Sequence, residues 1–298
     1  MKRTAPMFQD YLRPDKRFPS VWCPGCGNGV VLGCILRAIH ALDIPRDKVA
    51  LISGIGCSGR MPVYADFNTL HTTHGRALAF ATGLKLARPD LYVIVVMGDG
   101  DAMAIGGNHF IHTCRRNVNL TAIVVNNRIY GMTGGQCSPT TPSDLIASTA
   151  TYGNIDQPID ICHLAALAGA AFVGRSTVYH VRELEKIITK GLDKKGLAVI
   201  EAVSNCHTYY GRLNKIGRAT DMFKWMKEET APITVVPEKR KGKITRGIFM
   251  DKDTVGFIQH YEQLVEKAIK NMEMLRQWKK KRLGPDINAK KAQVANNT

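Results

Sequence analysis

Cys23 and Cys26, separated by two residues in "VWCPGCGNGV", are the first side chains in the chain whose type and spacing could do chemistry. A zinc ion, a disulfide and an iron–sulfur cluster all begin with C-x-x-C. Zinc sites pair such a motif with a second one or with a histidine pair, and the chain has no second C-x-x-C. A thioredoxin-like redox pair opens a helix that follows a strand, and no strand leads into this one. Of the six other cysteines, the candidates are two that stand singly on loops after strands, Cys57 in "GIGCSGR" and Cys206 in "VSNCHTYYGR". One pair and two singles make four thiolates, a set that suits a [4Fe–4S] cluster.

A second constellation carries oxygen. The β-branched run "LYVIVVMGDG" leads into Gly98, Asp99, Gly100 and Asp101, and "LTAIVVNN" leads into Asn126 and Asn127, with 25 residues between the "GDG" and the "NN". Alone, Asp-Gly after a strand is a turn signal. Together, the two stretches put a carboxylate and an amide oxygen at neighbouring strand ends, with Gly106 and Gly107 opening the helix between them. Such a donor set suits Mg²⁺, which takes oxygen ligands and shares them with phosphate groups. Free backbone N–H groups in glycine turns and at a helix start receive the phosphate oxygens.

The elements that must position these residues alternate. Helical spacing runs through "NGVVLGCILRAIHAL", with Val31, Ile35, Ala38 and Leu42 on one face. "KVALIS" reads as a buried strand and "HTTHGRALAFATGLKLA" as a helix stopped near Pro89. A helix over "GGNHFIHTCRRN", a polar loop from Arg128 to Ser148, a helix over "DICHLAALAGA", a short strand "AFVG", a helix from Tyr179 to Lys190 and the strand "LAVIEAVS" complete the pattern. It predicts one α/β domain with a doubly wound, mostly parallel sheet, whose ligands sit at the carboxyl ends of strands. After about residue 215 the alternation weakens to a connecting segment and a helix from about Thr254 to Arg282.

The stretch "GDGDAMAIGGNHFIHTCRRNVNLTAIVVNNRIYGMTGGQCSPTTP" matches a thiamine pyrophosphate-binding motif. Over roughly residues 20 to 215 the chain resembles the β subunit of the 2-oxoacid:ferredoxin oxidoreductases. The resemblance implies a pyrophosphate-domain fold over residues 1–215 and a C-terminal extension over 216–298 with a basic helix, partner-contacting or partly flexible. It implies Asp99, Asn127 and the backbone carbonyl of Ile129 as Mg²⁺ ligands. Gly100, Asp101, Gly131, Met132 and Thr133 would line the pyrophosphate. Ile55, Gly56 and Ser58 would lie near the thiazolium, and His74 of "HTTHGRA" near the cofactor. It assigns Cys23, Cys26, Cys57 and Cys206 to the [4Fe–4S] cluster, with 34 residues from Cys23 to Cys57. Cys34, Cys114 and Cys162 read as core residues, Cys137 as a non-ligand, and Trp22 as a cover over the cluster.

The activity implied is thiamine-dependent oxidative decarboxylation of a 2-oxoacid to acyl-CoA and CO2. Electrons pass through the cluster to ferredoxin, and the reaction is reversible as reductive carboxylation. Coenzyme A is a co-substrate, with most of its site on partners. Thiamine enzymes also need a carboxylate, normally Glu, at the aminopyrimidine. The chain offers no second α/β domain to supply it, so an α subunit, or α and γ subunits, would, and the chain alone is expected to be inactive. Arg60 follows Cys57 by three residues and can grip a carboxylate in two-pronged fashion. With "SNCHTYYGRLNK", which is more similar to the 2-oxoglutarate branch than to the pyruvate branch, it points to 2-oxoglutarate as substrate; pyruvate or another 2-oxoacid is the alternative.

Composition bounds the remaining readings. The chain has 298 residues, 45% hydrophobic, and no apolar run near the roughly 20 residues that span a bilayer. The N-terminal "MKRTAPMFQDYLRPDKRF" has basic residues and no apolar core, so it predicts no secretory signal and a cytoplasmic location. There thiols stay reduced, and eight cysteines are not expected to form a disulfide framework. The formal charge is +16, much of it in Lys239–Arg246 and Lys279–Arg282. A basic surface speeds docking of an acidic partner. Nucleic acid has no support beyond charge. A non-catalytic zinc and nucleic-acid module is the reading from another class, which iron and labile sulfide content would separate.

Overall fold

A computed structural model describes residues 8–16 and 19–283. Five central strands are buried along their whole length or nearly so, as their Val- and Ile-rich runs require. They are β1 (Val49–Ser53), β3 (Tyr92–Gly98), β4 (Thr121–Asn126), β5 (Phe172–Thr177) and β6 (Ala198–Val203). With β2 (Asn68–His71), β7 (Thr230–Pro232) and β8 (Ile244–Asp251) they form one eight-stranded sheet in the order β2-β1-β3-β4-β6-β5-β8-β7. Every pairing is parallel except β5 with β8, which is antiparallel and carries a bulge at Val173 and Gly174.

The helices are α1 (Asn28–Ala41), the single turn α2 (Met61–Tyr64), α3 (Ala77–Ala87), α4 (Gly107–Arg116), α5 (Ile161–Leu167), α6 (Val181–Asp193), α7 (Ala219–Glu228) and α8 (Phe257–Leu283). One core joins α1 and α6 to alternate strand residues, Val49, Leu51, Ile94, Val96, Ile123, Val125, Phe172 and Ile200 among them. The intervening residues, such as Ile52, Val95, Val124 and Val199, are equally buried on the opposite face, where α3, α4 and α5 pack in succession. Burying each such aliphatic side chain contributes about 1.5–3 kcal/mol, which holds the strand ends in fixed register. Cys34, Cys114 and Cys162 are buried core side chains.

The structure corrects the sequence pattern in three places. Residues 68–71 are a strand, and the helix over "HTTHGRALAFATGLKLA" starts only at Ala77. The segment expected to connect after residue 215 contains α7, β7 and β8, which lengthen the sheet. The strand "AFVG" also continues to Thr177. By internal contacts the chain divides after Gly256. The second unit is α8, 27 residues long, which leaves Leu264, Ile269, Met272, Leu275 and Trp278 exposed. The extreme N-terminus and the tail after Leu283 lie outside the described residues.

Between β1 and β3 the direction of strand addition reverses: β2 lies outside β1, and β3 then pairs with β1 on its other side. Reversal points of this kind open a crevice at the carboxyl ends of the strands.

Candidate active site

That crevice is a cavity of about 330 Å³. The loop after β1 contributes Ile55, Gly56, Cys57 and Ser58; the end of β3 and its loop contribute Gly98, Asp99, Gly100 and Asp101. The loop after β4 contributes Asn127, Ile129, Tyr130, Gly131, Met132 and Thr133, and His74 closes one side. Every residue expected at the thiamine cofactor therefore meets in one cavity.

Asp99 is only 3% exposed. Its Oδ2 accepts hydrogen bonds from Ser138 Oγ and Thr140 Oγ1, both at 2.6 Å. Burial raises its pKa, and those two hydroxyls pull it part of the way back. A buried carboxylate of this kind is a fitting place for a divalent cation, which offsets the desolvation of its charge. The two asparagines of the "NN" pair separate in role. Asn126 Nδ2 donates to Glu201 Oε1 at 2.8 Å, and its Oδ1 accepts from Arg128 N, so it faces into the sheet. Asn127 faces the cavity. Its Oδ1 has only a 3.3 Å contact, from Ile129 N, and keeps lone pairs for a metal. The chain turns here through Arg128, which holds φ +62, a conformation non-glycine residues rarely adopt.

Asp101 opens a π-type turn over Asp101–Ile105, an irregularity frequent at functional sites. Its Oδ1 takes His74 Nδ1 at 2.5 Å and Gly75 N at 2.7 Å. Its Oδ2 is buried with no hydrogen-bond partner among the described residues. Burial raises the Asp101 carboxyl, against the pull of Gly75 and His74. Gly54 lies beside this carboxylate, and a Cβ there would stand 1.6 Å from Asp101 Oδ2. Tyr130 crosses the cavity floor, its hydroxyl donating to Gly100 O at 3.2 Å.

Two of the four thiols expected at the cluster lie behind Gly131. A Cβ on Gly131 would lie 3.4 Å from Cys206 Sγ and 3.9 Å from Cys57 Sγ. Cys26 N donates to Cys23 O at 2.9 Å, closing the C-x-x-C turn. Burial raises the thiol pKa values of Cys26 and Cys206 and pushes Cys57 up to about 11; the neighbouring thiols add to each shift, and Arg60 opposes it at Cys57. That mutual influence places all four within electrostatic reach of one another. All eight cysteines are unpaired. Among the described residues, no three His, Cys, Asp or Glu side chains converge on a single metal ion. Four soft sulfur donors within electrostatic reach of one another fit a multinuclear iron–sulfide group, whose ligands stand further apart than those of a single ion. Among the described residues, four of the six buried side-chain atoms without a partner also lie in the segments that carry Cys26 and Cys206: Asn28 Oδ1, Ser204 Oγ, Asn205 Oδ1 and His207 Nδ1. Trp22 donates its indole N–H to Cys57 O at 2.7 Å and packs on Tyr64. It thus bridges the two sequence segments that carry Cys23, Cys26 and Cys57.

A family model described as the thiamine pyrophosphate enzyme C-terminal TPP-binding domain matches residues 54–202. The 2-oxoglutarate synthase subunit KorB of Methanocaldococcus jannaschii is 51% identical over 261 residues, covering 86% of this chain and 96% of the relative. The 2-oxoacid:ferredoxin oxidoreductase subunit beta of Saccharolobus solfataricus is 42% identical over 230 residues, 76% of this chain and 75% of that one. The chain belongs to the 2-oxoacid:ferredoxin oxidoreductase β-subunit family. Among solved structures, the 2-oxoglutarate:ferredoxin oxidoreductase from Magnetococcus marinus, with 2-oxoglutarate, coenzyme A and succinyl-CoA bound, superposes with a TM-score of 0.77 at 31% identity. That match covers 97% of this chain and 95% of the other. The family's thiamine pyrophosphate-binding domain thus coincides with the doubly wound part of the fold.

Arg60 does not line the cavity; it is exposed, in the helical turn after Cys57. Sequence reasoning missed Asn28, Tyr130, Gln136, Ser138 and Thr140. Asn28, Tyr130 and Gln136 line the cavity, and Ser138 and Thr140 hold Asp99. The polar loop "GGQCSPTTP" is the signal that could have found Gln136, Ser138 and Thr140. No periodicity marks the other two.

Proposed function

We propose that this chain is the cofactor-bearing β subunit of a 2-oxoglutarate:ferredoxin oxidoreductase. The carrying observation is the shared rim: Cys57 and Gly131 both line the Asp99–Asn127 cavity, and a Cβ on Gly131 would lie 3.4 Å from Cys206 Sγ and 3.9 Å from Cys57 Sγ. In this reading Asp99, Asn127 and the Ile129 carbonyl hold Mg²⁺, and Gly100, Asp101, Gly131, Met132 and Thr133 line the pyrophosphate. Ile55, Gly56 and Ser58 lie beside the thiazolium. Cys23, Cys26, Cys57 and Cys206 hold a [4Fe–4S] cluster. When bound, thiamine pyrophosphate supplies an electron sink for decarboxylation, and the cluster removes electrons singly.

The chain's own residues then have separable tasks. Ser138 and Thr140 keep Asp99 Oδ2 engaged, which presents the rest of the carboxylate to the cation. Asp101 fixes the His74 ring through Nδ1, which leaves Nε2 as the free nitrogen for a proton or hydrogen bond in the cavity. Arg60, exposed in the turn after Cys57 and close enough to influence its thiol, would draw in a second carboxylate. That preference fits a dicarboxylic 2-oxoacid, the substrate class in the names of the KorB relatives. The activating Glu and most of the coenzyme A site belong to an α subunit, or α and γ subunits, and ferredoxin or a ferredoxin-like subunit takes the electrons. The exposed apolar side chains of α8 suit a partner contact. No helix among the described residues is long and apolar enough to cross a membrane, and a cytoplasmic complex without nucleic acid fits the reading.

The test is anaerobic co-purification with the partner subunits. About four iron and four sulfide per chain, bound thiamine pyrophosphate and Mg²⁺, and ferredoxin reduction that requires both 2-oxoglutarate and coenzyme A are expected. One zinc without iron would overturn the cluster. Faster turnover of pyruvate than of 2-oxoglutarate would overturn the substrate alone.

A further inference from the structure

Asn28 stands between the cofactor cavity and the thiols. It is the first residue of α1 and only 2% exposed. Its Nδ2 lies 3.2 Å from Cys26 Sγ and donates to it. Its Oδ1 is buried with no partner among the described residues, and the side chain lines the cofactor cavity. Chemistry fixes the amide's orientation. A thiolate that ligates iron can only accept a hydrogen bond, so the NH₂ group must face sulfur and the carbonyl oxygen points away from it, closed off from water on a side chain that lines the cavity. A buried amide oxygen without a donor is costly to maintain, which marks this oxygen as an acceptor awaiting a ligand group.

We propose that Asn28 couples the two centres: it donates to the cluster-ligating sulfur of Cys26 and accepts a hydrogen bond from thiamine pyrophosphate bound in the cavity. The inference rests on the cluster reading given above. Hydrogen bonds to ligand sulfur stabilise the more negative, reduced cluster and so raise its potential. An amide whose oxygen is engaged becomes a stronger N–H donor. Cofactor binding therefore raises the cluster's potential, and by linkage cluster reduction tightens cofactor binding by the same factor.

The experiment uses the complete complex, purified anaerobically, as wild type, Asn28→Asp and Asn28→Leu. Iron and acid-labile sulfide are assayed first. The midpoint potential is then read by EPR-monitored titration with and without thiamine pyrophosphate, and the cofactor dissociation constant is measured with the cluster oxidised and reduced. In wild type, reduction is expected to tighten cofactor binding roughly fivefold, equivalent to a rise of about 40 mV for one electron. Both variants are expected to show a lower potential without cofactor and to lose the cofactor-dependent rise. A wild-type potential that thiamine pyrophosphate leaves unmoved overturns the coupling without recourse to any variant. Variants with full iron and the wild-type rise overturn the role of Asn28 while leaving the cluster standing. Wild type without iron and sulfide overturns the cluster reading itself, and the coupling with it.

Discussion

The oxygen-lined cavity and the thiol group share one rim of the sheet but are finished to different degrees. At Asp99 the protein supplies its own partners: two hydroxyls from one loop hold Oδ2, and Asn126 is locked between Glu201 and the Arg128 amide. Around the thiols, Asn28 Oδ1, Ser204 Oγ, Asn205 Oδ1 and His207 Nδ1 are buried without partners among the described residues, and burial holds three of the four thiols above their ordinary pKa. The contrast teaches that the surroundings of Asp99 and Asn126 are preorganised by the fold, with Asp101 Oδ2 the exception on the oxygen side, whereas the sulfur side carries most of the unsatisfied polar atoms. Oxygen ligands attached to strand ends inherit the rigidity of the sheet. The thiols come from three separate segments and converge only in the tertiary structure.

Breaking the sulfur side should have the largest effect. Cys206→Ser removes one of four proposed ligands, and ferredoxin reduction is expected to fall to background with iron per chain well below the wild-type value. Full iron retention in that variant would remove Cys206 from the set. On the oxygen side, Asp99→Asn is expected to weaken Mg²⁺-dependent thiamine pyrophosphate binding by about 100-fold, and Thr140→Val by about tenfold, the usual span for losses in the supporting shell of a metal site. Equal effects of the two would show that the hydroxyl shell, and not the charge, holds the cation.

A smaller effect is expected at Arg60. Arg60→Gln should raise KM for 2-oxoglutarate about tenfold, near the loss of one charge-assisted hydrogen bond, and change KM for pyruvate little. A uniform change across substrates would leave Arg60 without a role in choosing between them.

The mildest test concerns the metal-free chain. The Cys57 thiol is raised by burial and by its thiol neighbours to about 11, from an ordinary value of 9. A raised pKa contributes stability that is present below pH 9 and lost as pH rises toward 11. Alkylation of Cys57, followed by mass spectrometry, should therefore stay slow at neutral pH and accelerate only over that window. Fast alkylation at pH 7 would show that the thiols are not mutually held in the neutral form.

Legibility followed the physics of each element. The central strands announce themselves because burial on both faces demands unbroken Val and Ile runs, as in "YVIVVMG". β2, with the sequence "NTLH" and three of its four residues exposed, offers no such run. β8 is half-buried and interrupted by Gly247 at φ +130, and β7 is three residues long. Within the site, Asp99 and Asn127 were readable from a spacing that two strands and one helix impose. Thr140 was marked only as part of a polar loop, because it acts on Asp99 across 41 residues, and Asn28 was not marked at all, because its place beside the cavity depends on how α1 packs.

By itself the sequence determined which residues stand at the strand ends, since the periodicity of buried strands and the glycines after them act locally. It also determined the family, through the "GDG" and "NN" stretches and the four cysteines. Only the tertiary structure decided which asparagine of the "NN" pair faces the cavity, that Gly131 lies against the Cys206 and Cys57 sulfurs, and that Asn28 touches both the cavity and Cys26. Those outcomes depend on side-chain direction and on approach within a few ångströms, which the packing of the sheet against its helices sets and no linear pattern encodes.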